Sequence, residues 1–353
     1  MSKYWSPYIR SIAPYIPGEQ PQDRQYIKLN TNENPYPPSP RVMKVLKNSI
    51  KEDIRLYPDP ECQELRDGIA DYYNLQGPEE VFVGNGSDEV LAFAFMAFFK
   101  SARPILFPEI TYSFYPVYCS LFNIEYQLIS LKEDFTVPVE EFLRENGGII
   151  FPNPNAPTGI YLPIEKIEEL LQKNQNSLVI IDEAYIDFGG DSAVGLVKDY
   201  PNLLIIQTMS KSRALAGLRI GFALGQGDLI EGLNRVKNSF NSYTLDRLVQ
   251  VAARESLKDE AYFQKMRERL IKTRERIANE LIKRGFTVLP SRTNFLLISH
   301  PLYQAENLFK ALKERGILVR YFKQPGIENY LRVSIGSDQE MDVFIRNIDE
   351  IIS

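Results

Sequence analysis

The sequence predicts an α/β protein: a mostly parallel sheet flanked by helices, followed by a smaller α+β unit. Three observations predict it. Short apolar, β-branched runs at 81–84, 104–107, 149–151, 178–181 and 203–208 alternate with helix-like stretches. These runs are mostly apolar, as parallel strands covered on both faces are. After Gly227 the alternation gives way to long charged helical stretches and then to short strands separated by single helices.

Residues 87–99 read as a helix because Leu91, Phe95 and Phe98 share one face. Residues 112–122 continue as a helix and 124–130 as a strand. Residues 138–145 read as a helix opened by Pro138, a favoured first-turn residue, and 163–171 as another helix. Beyond the change at Gly227, helices are expected over 245–257 and 260–283. Strands are expected at 287–289, 295–298, 317–319 and 331–335. A helix at 305–312 separates them, and a last helix carries Met341, Phe344, Ile345 and Ile348. The first forty residues are rich in Pro, Tyr and Asn and lack periodicity. The expected organisation is an arm over 1–40, a large domain over 41–250 and a small domain over 251–353.

The 353 residues are 44% hydrophobic and 25% charged, the balance of an ordinary globular protein. A net charge of −5 provides no basic field for nucleic acid. The most apolar stretch, 90–99, is too short to span a bilayer, and the first fifteen residues contain no apolar signal core. Two cysteines, Cys62 and Cys119, lack metal-type spacing. A disulfide scaffold and a metal cluster are therefore not expected, and a cytoplasmic location is. The single histidine, His300, stands in Ser299-His300-Pro301 and reads as a surface turn residue rather than a general base.

In an open α/β sheet, ligands bind beyond the carboxyl ends of the strands. After the first strand stands Gly86-Ser87-Asp88-Glu89, a helix start whose N–H groups suit a phosphate; a plain N-cap is the commoner meaning of such a turn. After 149–151 stands Asn153-Pro154-Asn155-Ala156-Pro157-Thr158-Gly159, a rigid turn in which Asn155 offers an amide. After 178–181 stand Asp182 and Tyr185, an acid placed to pair with a ligand cation and a phenol. After 203–208 come Ser210 and Lys211, with Arg219 further on. A lysine directly after a buried strand is placed to form an imine, although most lysines are solvated surface charges. The set is less probable by chance than any member, and it matches what pyridoxal phosphate needs: an amine for the aldehyde, a carboxylate for the ring nitrogen, donors for the phenolic oxygen and N–H and cationic groups for the phosphate.

On these segments, and on Leu29-Asn30-Thr31-Asn32-Glu33-Asn34-Pro35, Arg55-Leu56-Tyr57-Pro58, Gly217-Leu218-Arg219 and Leu331-Arg332-Val333, the chain resembles the fold-type I aminotransferases. Within them it is most similar to the histidinol-phosphate branch. The resemblance implies that Lys211 holds pyridoxal phosphate as a Schiff base and moves the proton between the substrate and the cofactor. It implies that Asp182 pairs with the pyridine nitrogen, Tyr185 and Asn155 contact the phenolic oxygen, and Tyr112 stacks on the ring. It assigns the phosphate to Ser87, Asp88, Ser210 and Arg219, with Tyr57 reaching it from the second subunit of a homodimer. It gives the substrate anions to Arg332 and Arg320, helped by Tyr15 and Tyr243. The reaction implied exchanges an amino group between a phosphorylated amino alcohol and 2-oxoglutarate. Many relatives carry asparagine where this chain has Ala156, so the contact expected of Asn155 departs from the family pattern. The rivals are an aromatic aminotransferase or a decarboxylase on the same scaffold, and a non-catalytic regulator, which would need a DNA-binding segment that the sequence lacks. A nicotinamide dehydrogenase is disfavoured because Gly84-Asn85-Gly86 lacks the third spaced glycine.

Overall fold

The structure is a computed structural model and describes residues 2–353. Its centre is a seven-stranded sheet. The spatial order is Val81–Asn85, Ile220–Gly225, Leu203–Thr208, Val179–Asp182, Ile149–Pro152, Ile105–Pro108 and Tyr126–Ile129. Ile220–Gly225 runs antiparallel to both neighbours, and the remaining pairs are parallel. The mostly parallel sheet expected from the β-branched runs is therefore present. The reversed strand is the apolar run after Arg219, which periodicity alone could not orient.

Period-two alternation divides these strands between two cores. Ile149, Phe151, Val179, Ile181, Leu203 and Ile205 pack on one face with the helices Gln63–Tyr73 and Arg247–Lys258. Ile150, Ile180, Leu204 and Ile206 pack on the other with Gly86–Phe98 and Tyr115–Phe122. All ten strand residues are fully buried. Because each face is covered, the strands read as continuous apolar runs rather than as alternating ones.

A second unit holds the four-stranded antiparallel sheet Arg320–Tyr321, Leu331–Ser334, Phe295–Ser299, Thr287–Val288. The helices Glu260–Lys283, Ala305–Glu314 and Asp338–Ile352 pack on it through Leu270, Ile277, Leu308, Leu312, Met341 and Phe344. Ser337 and Glu340 close a capping box at the start of the last helix. Val249, Ala252, Ala253 and Leu257 belong to the large core. The change of core thus falls after Lys258, and a division at 250 runs through this helix. The first forty residues are not wholly irregular. Pro7–Ser11 is a short helix, and Ile27–Lys28 pairs in parallel with Ile317–Leu318. Leu29 is buried in the small core, so the arm is stitched to the small domain.

Three further expectations are corrected. The helix expected over 138–145 is only the 3-10 turn Val139–Phe142. After it, the Asn146 side chain donates to the Arg144 carbonyl and accepts from the Gly148 N–H, holding the chain as a turn. The helix expected from 112 starts at Tyr115, which leaves Tyr112 in a loop. His300 is buried, not on the surface: its Nδ1 accepts from Leu302 N–H at 3.1 Å and its Nε2 lies 3.2 Å from the Arg284 carbonyl. The ring also packs edge-on against Phe286 and Tyr303.

The strands ending at Asn85, Pro152, Asp182 and Thr208 run in one direction, which brings these residues to one edge of the sheet. At that edge Gly221 must be glycine, because a Cβ there would overlap the Gly86 carbonyl carbon and the Ser87 nitrogen. Gly221→Ala should destabilise the fold by about 1–3 kcal/mol, the usual cost of overpacking. It should also distort the start of Gly86–Phe98. Denaturant unfolding of the variant beside wild type checks this.

Candidate active site

A cavity of about 480 Å³ opens at the carboxyl edge, between the large sheet and the small-domain sheet. Lys211, Asp182, Tyr185, Ser87, Asp88, Tyr112, Ser210 and Arg219 line it, as do Tyr15, Arg320 and Arg332.

The helix start at Ser87 and Asp88 faces the cavity with no side chain over its first residue. Gly86 has φ +79°, and a Cβ there would overlap the Arg219 guanidinium. Arg219 lies instead across the turn and pairs with Asp88 at 3.2 Å. Asp88 also accepts from the Tyr112 hydroxyl at 2.9 Å, and its backbone carbonyl accepts from Tyr118 at 2.8 Å. Ser210 is fixed by Thr208, whose hydroxyl lies 2.9 Å from the Ser210 hydroxyl and 2.9 Å from the Ile220 carbonyl. N–H groups, a hydroxyl and a guanidinium thus surround one end of the cavity, which is suited to a dianion.

Asp182 ends its strand on the cavity floor at 4% exposure. It accepts from the Tyr115 hydroxyl at 3.1 Å and from the Ala184 N–H at 3.1 Å. Burial pushes its carboxyl up to about 6, only partly opposed by those two bonds. A desolvated carboxylate held this way favours a cation beside it. Lys211 extends from the loop after the next strand, and its Nζ donates to the Thr31 carbonyl at 3.2 Å. It lies 5.8 Å from the centre of the Tyr185 ring.

The small domain closes the other end. Arg320 and Arg332 are direct partners on neighbouring antiparallel strands. Arg332 donates to the Asn30 carbonyl at 3.0 Å, and its buried Nε has no partner. Desolvation, and then the Arg320 charge, lower its affinity for its proton. Two adjacent guanidinium groups facing a cavity are arranged for an anion. Tyr15 stacks on Phe114 at 4.7 Å beside them.

Two expected site residues, Asn155 and Tyr243, lie elsewhere, and Tyr57, expected from the second subunit, stands outside this protomer's cavity. Asn155 is buried but does not line the cavity; Ala156 does. Its amide donates to the Ile110 carbonyl at 3.0 Å and to Thr158 at 3.1 Å, and its backbone accepts from Gly159 at 2.7 Å. It buckles the turn from inside. Tyr57 and Tyr243 also lie outside the cavity, stacked on each other at 4.5 Å. They are 78% and 43% exposed, so Tyr243 does not reach this protomer's substrate end. Residues without a sequence assignment join the site: Asn30, Thr31 and Asn32 from the arm, and Thr111, Thr208 and Phe322. Asparagines at 30, 32 and 34 in a segment without periodicity were the available signal, but nothing local shows that two of them are buried.

The family model for aminotransferases of class I and II matches residues 24–348, and the chain belongs to that family. It is 57% identical over its whole length to the histidinol-phosphate aminotransferase of Clostridium botulinum strain 657, covering 99% of that protein. The histidinol-phosphate aminotransferase of Clostridium acetobutylicum is also 57% identical, with all of both chains covered. A crystal structure of a histidinol-phosphate aminotransferase from Sinorhizobium meliloti in complex with pyridoxal-5'-phosphate shares the fold. Its TM-score is 0.89 at 22% identity, over 100% of this chain and 98% of that one.

The cavity fits that cofactor on its own chemistry: an amine, an anion cradle at one end and a buried carboxylate short of a cation. The buried charge of Asp182 has a stability consequence. The folded protein binds this proton more tightly than the unfolded chain does, so stability falls as pH rises from the ordinary carboxylate value of 3.8 through about 6. Asp182→Asn should therefore make the cofactor-free protein more stable at pH 8, by on the order of 2–3 kcal/mol, with the gap closing as the pH falls from about 6 through 3.8. The same variant should bind pyridoxal phosphate more weakly. Melting curves at both pH values and a cofactor titration check the pair of effects.

Proposed function

We propose that the protein is a pyridoxal-phosphate-dependent transaminase that exchanges an amino group between L-histidinol phosphate and 2-oxoglutarate in histidine biosynthesis. The observation that carries the substrate reading is the pairing of Arg320 with Arg332 across the cavity from the Ser87–Arg219 cradle. One anion site is needed for the cofactor and a second for a substrate that carries its own phosphate or carboxylate. The relatives of 57% identity bear the histidinol-phosphate name over their full length.

Bound in this cavity, pyridoxal phosphate supplies a carbonyl that takes up the amino group and a ring that accepts electrons from the substrate carbon. The residues have the following parts. Ser87 and Asp88 N–H groups, Ser210 and Arg219 hold the phosphate. Asp182 keeps a proton on the pyridine nitrogen by offering it a buried negative charge. Tyr112 covers the ring face, and Tyr185 donates to the phenolic oxygen. Lys211 Nζ would hold the cofactor through its amine and, when free, would be the base placed to move a proton at the substrate Cα. Arg332 and Arg320 hold the substrate phosphate in one half-reaction and glutamate carboxylates in the other, with Tyr15 closing the mouth.

The protein works as a homodimer in this proposal. Tyr57 and Tyr243 form an exposed aromatic pair beside Ile54 and Leu56, which are 61% and 50% exposed, a surface suited to a second copy that delivers Tyr57 to the neighbouring cradle. A reducing, cytoplasmic location fits the two free buried thiols, Cys62 and Cys119. Among the described residues no helix is long and apolar enough to cross a membrane, and no metal-binding cluster is present.

The single-turnover rate of conversion of bound cofactor to its amine form should be much faster with histidinol phosphate than with phenylalanine. The reverse order would move the protein to aromatic amino acids. Arg332→Ala should weaken both histidinol phosphate and glutamate by about ten- to a hundredfold, the loss of a charge-assisted hydrogen bond. A change in melting temperature alone would return Arg332 to a structural role.

A further inference from the structure

We propose that Asn32 is a positioning residue that fixes the Tyr185 hydroxyl as a hydrogen-bond donor into the cofactor cavity; the proposal rests on the transaminase reading above. Asn32 Nδ2 donates to the Tyr185 oxygen at 2.9 Å. A phenol has one proton to give, and its oxygen accepts from neighbours. With the oxygen engaged by the amide, the Tyr185 proton is left to point away from Asn32, towards the cavity that both residues line.

The orientation of the amide is set by its other end. Asn32 Oδ1 accepts from the Ser334 hydroxyl at 2.8 Å, and the Ser334 oxygen accepts from the Asn32 N–H at 2.9 Å. Both residues are almost fully buried. Turning the amide over would present an NH₂ to Ser334, leave the hydroxyl proton without this acceptor, and make the amide oxygen accept the Tyr185 proton. The arrangement observed gives both ends of the amide and the Ser334 hydroxyl a partner, and it is the one that leaves Tyr185 free to donate. The backbone is held as well: Asn294 Nδ2 donates to the Asn32 carbonyl at 2.9 Å, and Asn32 sits at φ +56°, a conformation that asparagine tolerates better than most side chains.

This matters more here because of the turn at 153–159. Of the two side chains expected at the phenolic oxygen, Asn155 is bonded to Ile110 and Thr158, and Ala156 brings only a methyl group. Tyr185 is therefore the one of the pair that faces the cavity, and its donor direction is decided by a residue of the arm. The charged groups facing Tyr185 are Lys211, 5.8 Å from its ring, and Arg332 on the small-domain sheet. The variants below leave both in place.

A donor on the phenolic oxygen favours its deprotonated form, so losing that donor raises the pH midpoint at which the visible band of the bound cofactor changes. The test is a pH titration of that band in the full-length, cofactor-loaded enzyme. The proteins compared are wild type, Asn32→Gly, Ser334→Ala, Tyr185→Phe and the Asn32→Gly/Tyr185→Phe double variant. Glycine keeps the positive φ without strain. Asn32→Gly should raise the midpoint by about half a unit to one unit. Tyr185→Phe should raise it at least as far, and the double variant no further than Tyr185→Phe alone. Ser334→Ala, which releases the amide without removing it, should shift the midpoint in the same direction. It carries the test if Asn32→Gly does not fold. An unmoved midpoint in both the Asn32 and Ser334 variants, with Tyr185→Phe shifted, overturns the proposal and leaves the transaminase reading standing. So does a double variant whose shift is the sum of the two. An unmoved midpoint in Tyr185→Phe overturns the cofactor role of Tyr185 itself, and the proposal with it.

Discussion

The passage of residues 29–34 between the two domains is the constraint on which the site depends. Leu29 donates to the Leu318 carbonyl and accepts from the Ser334 N–H, so the segment runs against the small-domain sheet as if it belonged to it. Three consecutive residues then reach three groups of the cavity. The Asn30 carbonyl holds Arg332, the Thr31 carbonyl holds Lys211, and the Asn32 amide holds Tyr185. Asn34 follows, with its amide bonded to the carbonyls of Lys211 and Ser212. The segment thus ties the lysine of the large domain to the arginine of the small-domain sheet, alongside other links such as Arg292 N–H to the Gly159 carbonyl and Gln324 to the Glu109 carbonyl.

The two ends of the cavity use different means to present positive charge. At the cradle, a helix start and Arg219 are brought close because Gly86 and Gly221 have no side chains to keep them apart. At the small-domain end, register alone sets Arg320 against Arg332. The cradle is partly open, with the Arg219 side chain 44% exposed, whereas Arg332 is desolvated and keeps an unpaired Nε. Affinity for an anion is greater where water is excluded.

Asp182 and its neighbour Glu183 illustrate how the strand end separates roles. Both are buried and both are pushed up by desolvation, to about 6 and about 7. Asp182 faces the cavity. Glu183 points the other way, where Ser192, the Ala193 N–H and Gln207 surround it, and it ties the loop after the strand to the sheet. Alternation along an extended chain puts one carboxylate in the site and the next in the scaffold.

Much of this protein follows from sequence alone. Apolar runs with β-branched residues mark strands because a strand covered on both faces is filled mostly by apolar side chains, and the residues directly after those runs are the ones a parallel sheet presents at one edge. Lys211, Asp182, Tyr185, Ser87 and Ser210 were legible for that reason, and Arg219 from its place just before the next apolar run. The antiparallel direction of Ile220–Gly225 was not, since a buried strand reads alike in either direction. Nor were the inward turn of Asn155, the burial of His300, or the exposed pairing of Tyr57 with Tyr243. Each depends on contacts between residues far apart in the chain. The parts played by Asn30, Thr31 and Asn32 belong to the same class. Two of them act through backbone carbonyls, which every residue possesses, so only the tertiary structure could choose which ones meet the arginine and the lysine.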